Sequence, residues 1–205
     1  VVLVMFGGRA QVVSGLAERC AALIQAWYPG EEGGNAVADI LYGKVSPSAK
    51  LSVSYPNAEV YEPICYNYST EKDARVAWPF GYGLSYTSFE YDKLDLVQEA
   101  ATTDEALTIA FEVKNTGTVK ADEIAQIYLS PADGNTNIRP IQLQGFARVP
   151  LEPGQTKRVE VKLYTEQFGY YSNDGQRQWN IAPGKFAIKV GASSQDIRLT
   201  GEVNL

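Results

Sequence analysis

The 205-residue sequence contains no histidine. That absence removes the Ser-His-Asp and Cys-His nucleophile systems and most catalytic zinc sites, all of which depend on an imidazole. Cysteine is scarce as well. Cys20 and Cys65 stand far apart, signal neither a disulfide framework nor a metal knuckle, and read as two free, partly buried thiols. Lys and Arg number 18 against 24 Asp and Glu, for a net charge of −6. Nucleic acid is therefore not an expected partner, since neutralising phosphates takes clustered basic residues. No apolar run approaches the ~18 residues of a membrane span, so no membrane partner is expected either. Residues 1–6 are too short, and lack the basic flank, for a secretory signal. The residues alone leave the compartment open.

What is present is ordinary for a globular chain: 45% apolar and 20% charged residues, enough for one large domain or two ordinary ones. Residues 1–55 read as α/β. The apolar run 1–6 ends in Gly7-Gly8 and fits a buried parallel strand; residues 21–27 form a second. Ser14 is placed to cap a short helix through Glu18 and Arg19. Val37, Ile40 and Leu41 fall on one face of a helix over residues 34–42, which Gly43 closes. Residues 50–55 read as a third strand, stopped by Pro56. Three strands and two helices make an incomplete, mostly parallel sheet, so the chain is expected to be a piece of a longer protein with further strands upstream.

Residues 56–92 are dense in aromatics, among them Tyr61, Tyr66, Tyr68, Trp78, Phe80, Tyr82 and Tyr91. Disordered linkers are poor in such residues, so this connection is expected to pack across both neighbours. Residues 93–205 read as all-β. Leu107, Ile109, Phe111 and Val113 alternate, and the segments 123–130, 139–149, 159–163, 177–181, 186–190 and 197–203 follow at regular spacing. Asn173-Asp174-Gly175 marks a hairpin. About seven short strands with no cysteine among them predict an immunoglobulin-like sandwich of the fibronectin type III kind.

The junction Trp27-Tyr28-Pro29-Gly30-Glu31-Glu32-Gly33-Gly34 carries the strongest chemical signal, because α/β proteins place ligands outside the carboxyl ends of their strands. Its glycines lack the G-x-G-x-x-G spacing, and two carboxylates would repel a pyrophosphate, so no nucleotide cofactor is expected. Glu31 and Glu32 cannot serve as a glycosidase pair, since adjacent residues do not flank one glycosidic bond. The dipole of the following helix also favours their charged form, the opposite of what a general acid requires. Capping and dipole compensation is one role for them, contact with sugar hydroxyls the other. Trp78 and the tyrosines near Asn67 have the same two sides: buried interdomain packing, or stacking on a sugar ring. The turns around Asp133 and Asp174 lack calcium-loop spacing, so no metal is expected there. Asp73 and Arg75 can pair with each other or reach a ligand.

The block from Ala26 through Tyr42-Gly43 to Leu51 resembles the C-terminal α/β domain of glycoside hydrolase family 3. Phe80-Gly81-Tyr82-Gly83-Leu84-Ser85-Tyr86 resembles the approach to that family's fibronectin type III-like domain. Arg139-Pro140, Leu143-Gln144-Gly145-Phe146 and Val190-Gly191-Ala192-Ser193-Ser194 continue the pattern in the same order. The resemblance implies a retaining exo-β-glycosidase of β-glucosidase or β-xylosidase type that needs no cofactor. Its nucleophile would lie in a missing N-terminal barrel domain, and its acid/base in the α/β domain ahead of these residues. No catalytic residue is therefore carried over, and the chain alone is expected to be inactive. Glu31, Glu32 and Trp78 stand as candidate substrate-binding residues for an oligosaccharide or aryl glycoside. Tyr66-Asn67-Tyr68 departs from the Tyr-Asn-His found in many members. A periplasmic or secreted enzyme is implied. The rival reading is a non-catalytic carbohydrate-binding or spacer module.

Overall fold

A computed structural model of the chain describes residues 1–57, 64–98, 105–132, 134–172, 175 and 178–204. Tyr61, Asp133, Asn173 and Asp174, singled out above, lie outside them, as does the first residue of the expected strand over 177–181. Strand β1 (Val2–Phe6) pairs in parallel with β2 (Ala22–Trp27), Leu3 opposite Leu23 and Val4 opposite Ile24. Helix α1 (Ser14–Ala17) lies between them and is shorter than its sequence suggests. Ser14 is not its cap. Val13 holds that position, while the Ser14 hydroxyl donates to the Asn57 carbonyl at 2.7 Å. Helix α2 (Gly33–Leu41) ends as expected, with Gly43 at φ 72°. The Gly43 N–H reaches the Ile40 carbonyl at 2.9 Å and the Lys44 N–H reaches Asp39 at 2.8 Å, which satisfies carbonyls the helix end would leave open.

The expected strand over 50–55 does not form. Leu51 bonds instead to the turn at 79–82: its N–H donates to the Tyr82 carbonyl at 2.8 Å, and its carbonyl accepts from Gly81 at 2.7 Å. The alternation in this segment reflects partners on two sides rather than a sheet. Only β3 (Tyr55–Pro56) pairs, antiparallel to β4 (Val76–Trp78). Among the described residues the parallel sheet thus has two strands. The core beside it is small: Met5, Val13 and Tyr55, with Leu3, Leu23, Trp27, Leu51 and Trp78 packed around them.

Seven strands build the sandwich. One sheet runs β5 (Phe89–Gln98), β6 (Glu105–Asn115) and β9 (Thr156–Tyr164). The other takes the order β13 (Asp196–Asn204), β12 (Lys185–Ser193), β7 (Ala121–Pro131) and β8 (Gln142–Leu151). The strands β10 (Gly169–Tyr171) and β11 (Trp179–Ile181) form the hairpin the sequence announced. Leu107, Ile109, Phe111 and Val113 all point inward and are fully buried, meeting Ile127, Leu129, Phe186 and Ile188 from the facing sheet. Each such side chain contributes about 1.5–3 kcal/mol by leaving water. Strand β7 departs from the one-face rule for antiparallel sheets. Gln126, Tyr128 and Ser130 alternate with its inward residues and are buried too. Something covers its outer face.

Candidate functional site

Two places gather polar and aromatic side chains: the loop after β2, and the face of β7. At the first, the parallel strands end side by side. The Gly7 N–H donates to the Trp27 carbonyl at 3.0 Å, and the Gln25 amide donates to the Gly7 carbonyl at 3.0 Å. The register shifts here so that Phe6 faces Trp27. Trp27 adopts φ 53°, a conformation rare for a bulky side chain. Its indole is held edge-on against Tyr55, with ring centroids 6.4 Å apart. Strain of order 1–3 kcal/mol is tolerable where packing over-determines the geometry. The chain then turns through Pro29 and Gly30 into α2. Gly33 begins that helix against the Pro29 ring, which leaves no room for a Cβ.

Glu31 and Glu32 are both exposed at this corner. Glu32 is the N-cap residue of α2, yet its side chain bonds no first-turn N–H. It accepts instead from the Asn35 side-chain amide at 2.5 Å. Trp78 lies elsewhere, on β4, half-buried and edge-on to Tyr55 with centroids 6.1 Å apart. The fold does not bring the three candidates into one pocket: none of them lines the cleft beside Tyr66 and Arg75.

The cover over β7 is the aromatic connection. Tyr66 stacks on Phe80 at 4.0 Å and meets Tyr128 edge-on, while its hydroxyl accepts from the Leu143 N–H at 3.0 Å. The Gln126 amide donates to the carbonyls of Gly81 (3.0 Å) and Ala192 (2.8 Å), and its oxygen accepts the Tyr128 hydroxyl at 2.5 Å. Gly81 has φ 80°, and a Cβ there would collide with Gln126. Burial pushes the Tyr128 hydroxyl far above its ordinary range. Beside this contact lies a buried ion pair, Lys50 Nζ to Glu123 Oε1 at 3.2 Å, with side chains 12% and 4% exposed. Lys50 also donates to the Gly83 carbonyl, and Glu123 accepts the Tyr91 hydroxyl, both at 3.0 Å. Burial, and then the Glu123 charge, raise the Tyr91 hydroxyl strongly. Tyr86 completes the tie by donating to the Ile40 carbonyl of α2 at 2.7 Å.

A cleft of about 440 Å³ opens alongside, lined in part by Ser54, Tyr66, Tyr68, Asp73, Arg75 and Ser194. Asp73 and Arg75 pair with each other. Arg75 Nη2 lies 2.7 Å from Asp73 Oδ2 and Nε lies 3.0 Å from Oδ1. Arg75 donates to the Asp73 carboxylate from its side chain and its backbone, which holds that carboxyl below its ordinary value. Cys65 also lines the cleft as an exposed free thiol, and Cys20 is free and half-buried. No helix among the described residues is long and apolar enough to cross a membrane.

This arrangement coincides with known sequences. The family model of the glycosyl hydrolase family 3 C-terminal domain matches residues 1–86, and that of the fibronectin type III-like domain matches residues 123–194. The chain belongs to glycoside hydrolase family 3. This family 3 chain is 39% identical over 201 residues to a β-glucosidase of Kluyveromyces marxianus, covering 88% of the chain and 23% of that protein. It is 32% identical over 206 residues to a β-xylosidase of Formosa agariphila, covering 95% of the chain and 28% of that protein. A periplasmic β-glucosidase of Salmonella typhimurium is 32% identical over 216 residues, with 96% of the chain and 28% of that protein covered. The crystal structure of β-glucosidase D2-BGL from Chaetomella raphigera superposes with a TM-score of 0.90 at 28% identity, over 100% of the chain and 33% of that structure. The family 3 chain thus spans about a quarter to a third of the relatives it matches.

Sequence reasoning missed the Lys50–Glu123 pair and the roles of Gln126 and Tyr128. One signal was available. Strand β7 puts an amide and a phenol on the face that should be the solvated one, which marks a covered surface.

Proposed function

We infer that this chain is the C-terminal portion of a retaining exo-β-glycosidase. The parent enzyme hydrolyses terminal β-linked glucosyl or xylosyl units by double displacement, outside the cytoplasm, with its nucleophile and acid/base supplied by residues beyond this chain. The observation that carries the reading is coverage. The chain aligns along nearly its whole length with β-glucosidases and a β-xylosidase while spanning only 23–29% of them. The candidate carboxylates support it, since Glu31 and Glu32 are exposed sequence neighbours and cannot stand on either side of one glycosidic bond. In the proposed assembly, residues 1–55 complete an α/β sandwich domain, 56–92 connect it, and 93–205 form the fibronectin type III-like domain. Glu31 and Glu32 border the sugar pocket at the carboxyl end of β2, where their free oxygens accept sugar hydroxyls. Trp78 acts on that pocket through Tyr55 and Trp27, along one chain of edge-on rings.

An aryl β-glucoside and an aryl β-xyloside offered to the chain alone should show no turnover above buffer. Added to a preparation of the missing barrel and upstream α/β residues, the chain should restore turnover. Hydrolysis by the chain alone would refute the assignment of the reacting carboxylates to residues outside it.

A further inference from the structure

We propose that the chain carries a saccharide-binding groove of its own, running across the seam between the aromatic connection and the sandwich, and that it takes a neutral oligosaccharide. Two adjoining clefts, of about 440 and 370 Å³, share one side chain, Tyr68. Each lies in the volume range of small-molecule sites, about 300–1,000 Å³. Side by side they suit a chain of at least two sugar units rather than a single compact ligand. Tyr68 is 59% exposed although it sits in the middle of a packed seam. One face of its ring is fixed by the Arg139 guanidinium, 4.2 Å from the centroid. Farther along, Tyr171 lines the second cleft at 68% exposure and is braced edge-on by Trp179 at 4.9 Å. Exposed rings braced on one side in this way lose less freedom than unbraced ones when a flat apolar sugar face lies on them.

The polar lining has a matching character. Asp73 and Arg75 form a planar fork before any ligand arrives, so their ordering is not charged to binding. Charges in the groove balance, Glu71 and Asp73 against Arg75 and Arg139, which favours a neutral ligand over a uronate or a phosphate. Apart from the Cys65 thiol, the remaining polar side chains of the lining are hydroxyls and amides, including Ser69, Ser194, Gln195 and Asn137. These both donate and accept, as vicinal sugar hydroxyls do. The inference does not depend on the hydrolytic reading, because binding here requires no turnover.

The test is calorimetric titration of the 205-residue chain with cellotetraose, laminaritetraose and xylotetraose, and with a trigalacturonate as the anionic comparison. Saturable binding of at least one neutral chain is expected. Tyr68→Ala should weaken it about tenfold or more, while Tyr68→Phe, which keeps the ring, should stay within about threefold. Phe146→Ala removes a ring of similar exposure outside the groove and should change nothing. Near-UV circular dichroism of each variant checks that the fold is retained. Absence of binding by all three neutral chains overturns the proposal, as does equal weakening by Tyr68→Ala and Phe146→Ala. Preference for the trigalacturonate overturns the neutral assignment.

Discussion

The two ends of this chain solve the problem of burial differently. Among the described residues the sandwich has a core of eighteen buried apolar side chains, drawn from both of its sheets and, for Ile138, Phe168 and Ala182, from the segments between strands. The α/β end has three, while Val1, Phe6, Leu16, Tyr28, Tyr42 and Val45 stand exposed. A two-stranded parallel sheet cannot cover both of its faces, and parallel sheets need both covered. The α/β end therefore draws its stability from contacts beyond its own core. Here those contacts come from the connection and the sandwich: Trp78 edge-on to Tyr55, the Leu51 bonds to the 79–82 turn, the Lys50–Glu123 pair and the Tyr86 bond to α2. The sandwich is a unit in itself, and the other end is a unit by attachment.

The comparison is broken most sharply by paired deletions. Phe111→Ala, in the sandwich, should cost about 3–5 kcal/mol, because a fully buried ring leaves a cavity among rigid neighbours. Met5→Ala should cost about 2 kcal/mol, since the half-buried side chains around it can collapse into the space. Urea unfolding measures both, and equal losses would contradict the asymmetry. Next comes the attachment. Glu123→Ala leaves Lys50 buried without its partner and should cost about 3 kcal/mol. It should also split unfolding, with Trp27 and Trp78 fluorescence changing at lower urea than the β-sheet dichroism. A single coincident transition at the parent midpoint would show that the pair ties nothing together. The smallest effect is in the connection. The folded Asp73 carboxyl sits below its ordinary value of 3.8, so its stabilisation is present above that pH and is lost as pH falls through the folded value. Asp73→Asn should therefore flatten the loss of Tm between about pH 5 and pH 2. The difference should be small, and smaller still at high salt, because the pair is solvent-exposed.

Local rules made the sandwich legible. The alternation in β6 and β12 depends on a few adjacent residues. The same holds for α2 and its glycine stop. Residues 50–55 misled because their alternation is real but serves two partners: Leu51 faces the 79–82 turn, and Lys50 reaches Glu123. Ser14 misled because its hydroxyl is taken by Asn57, 43 positions away. The cleft was illegible for the same reason. Its walls come from Ser54, from the connection and from Ser194 and Gln195, and no local pattern joins them. The Asp73–Arg75 contact was open in sequence and is closed by a two-residue turn that lets backbone and side chain address one carboxylate.

The polar clasp over β7 has a consequence for the order in which the chain folds. Its bonds join Gly81 to Gln126, Gln126 to Ala192 and Tyr66 to Leu143, spanning 45, 66 and 77 residues. Gln126 can reach Ala192 only once β7 and β12 lie side by side, and Tyr66 can find the Leu143 N–H only once β8 has joined them. Closing such loops costs entropy that no single hydrogen bond repays. The clasp therefore belongs late in folding, after the sheet it rests on. A nascent chain emerging from its N-terminus must hold the aromatic connection unpaired until more than a hundred further residues have been made. Within this chain, the aromatic connection is made before the sheet it covers and is completed after it.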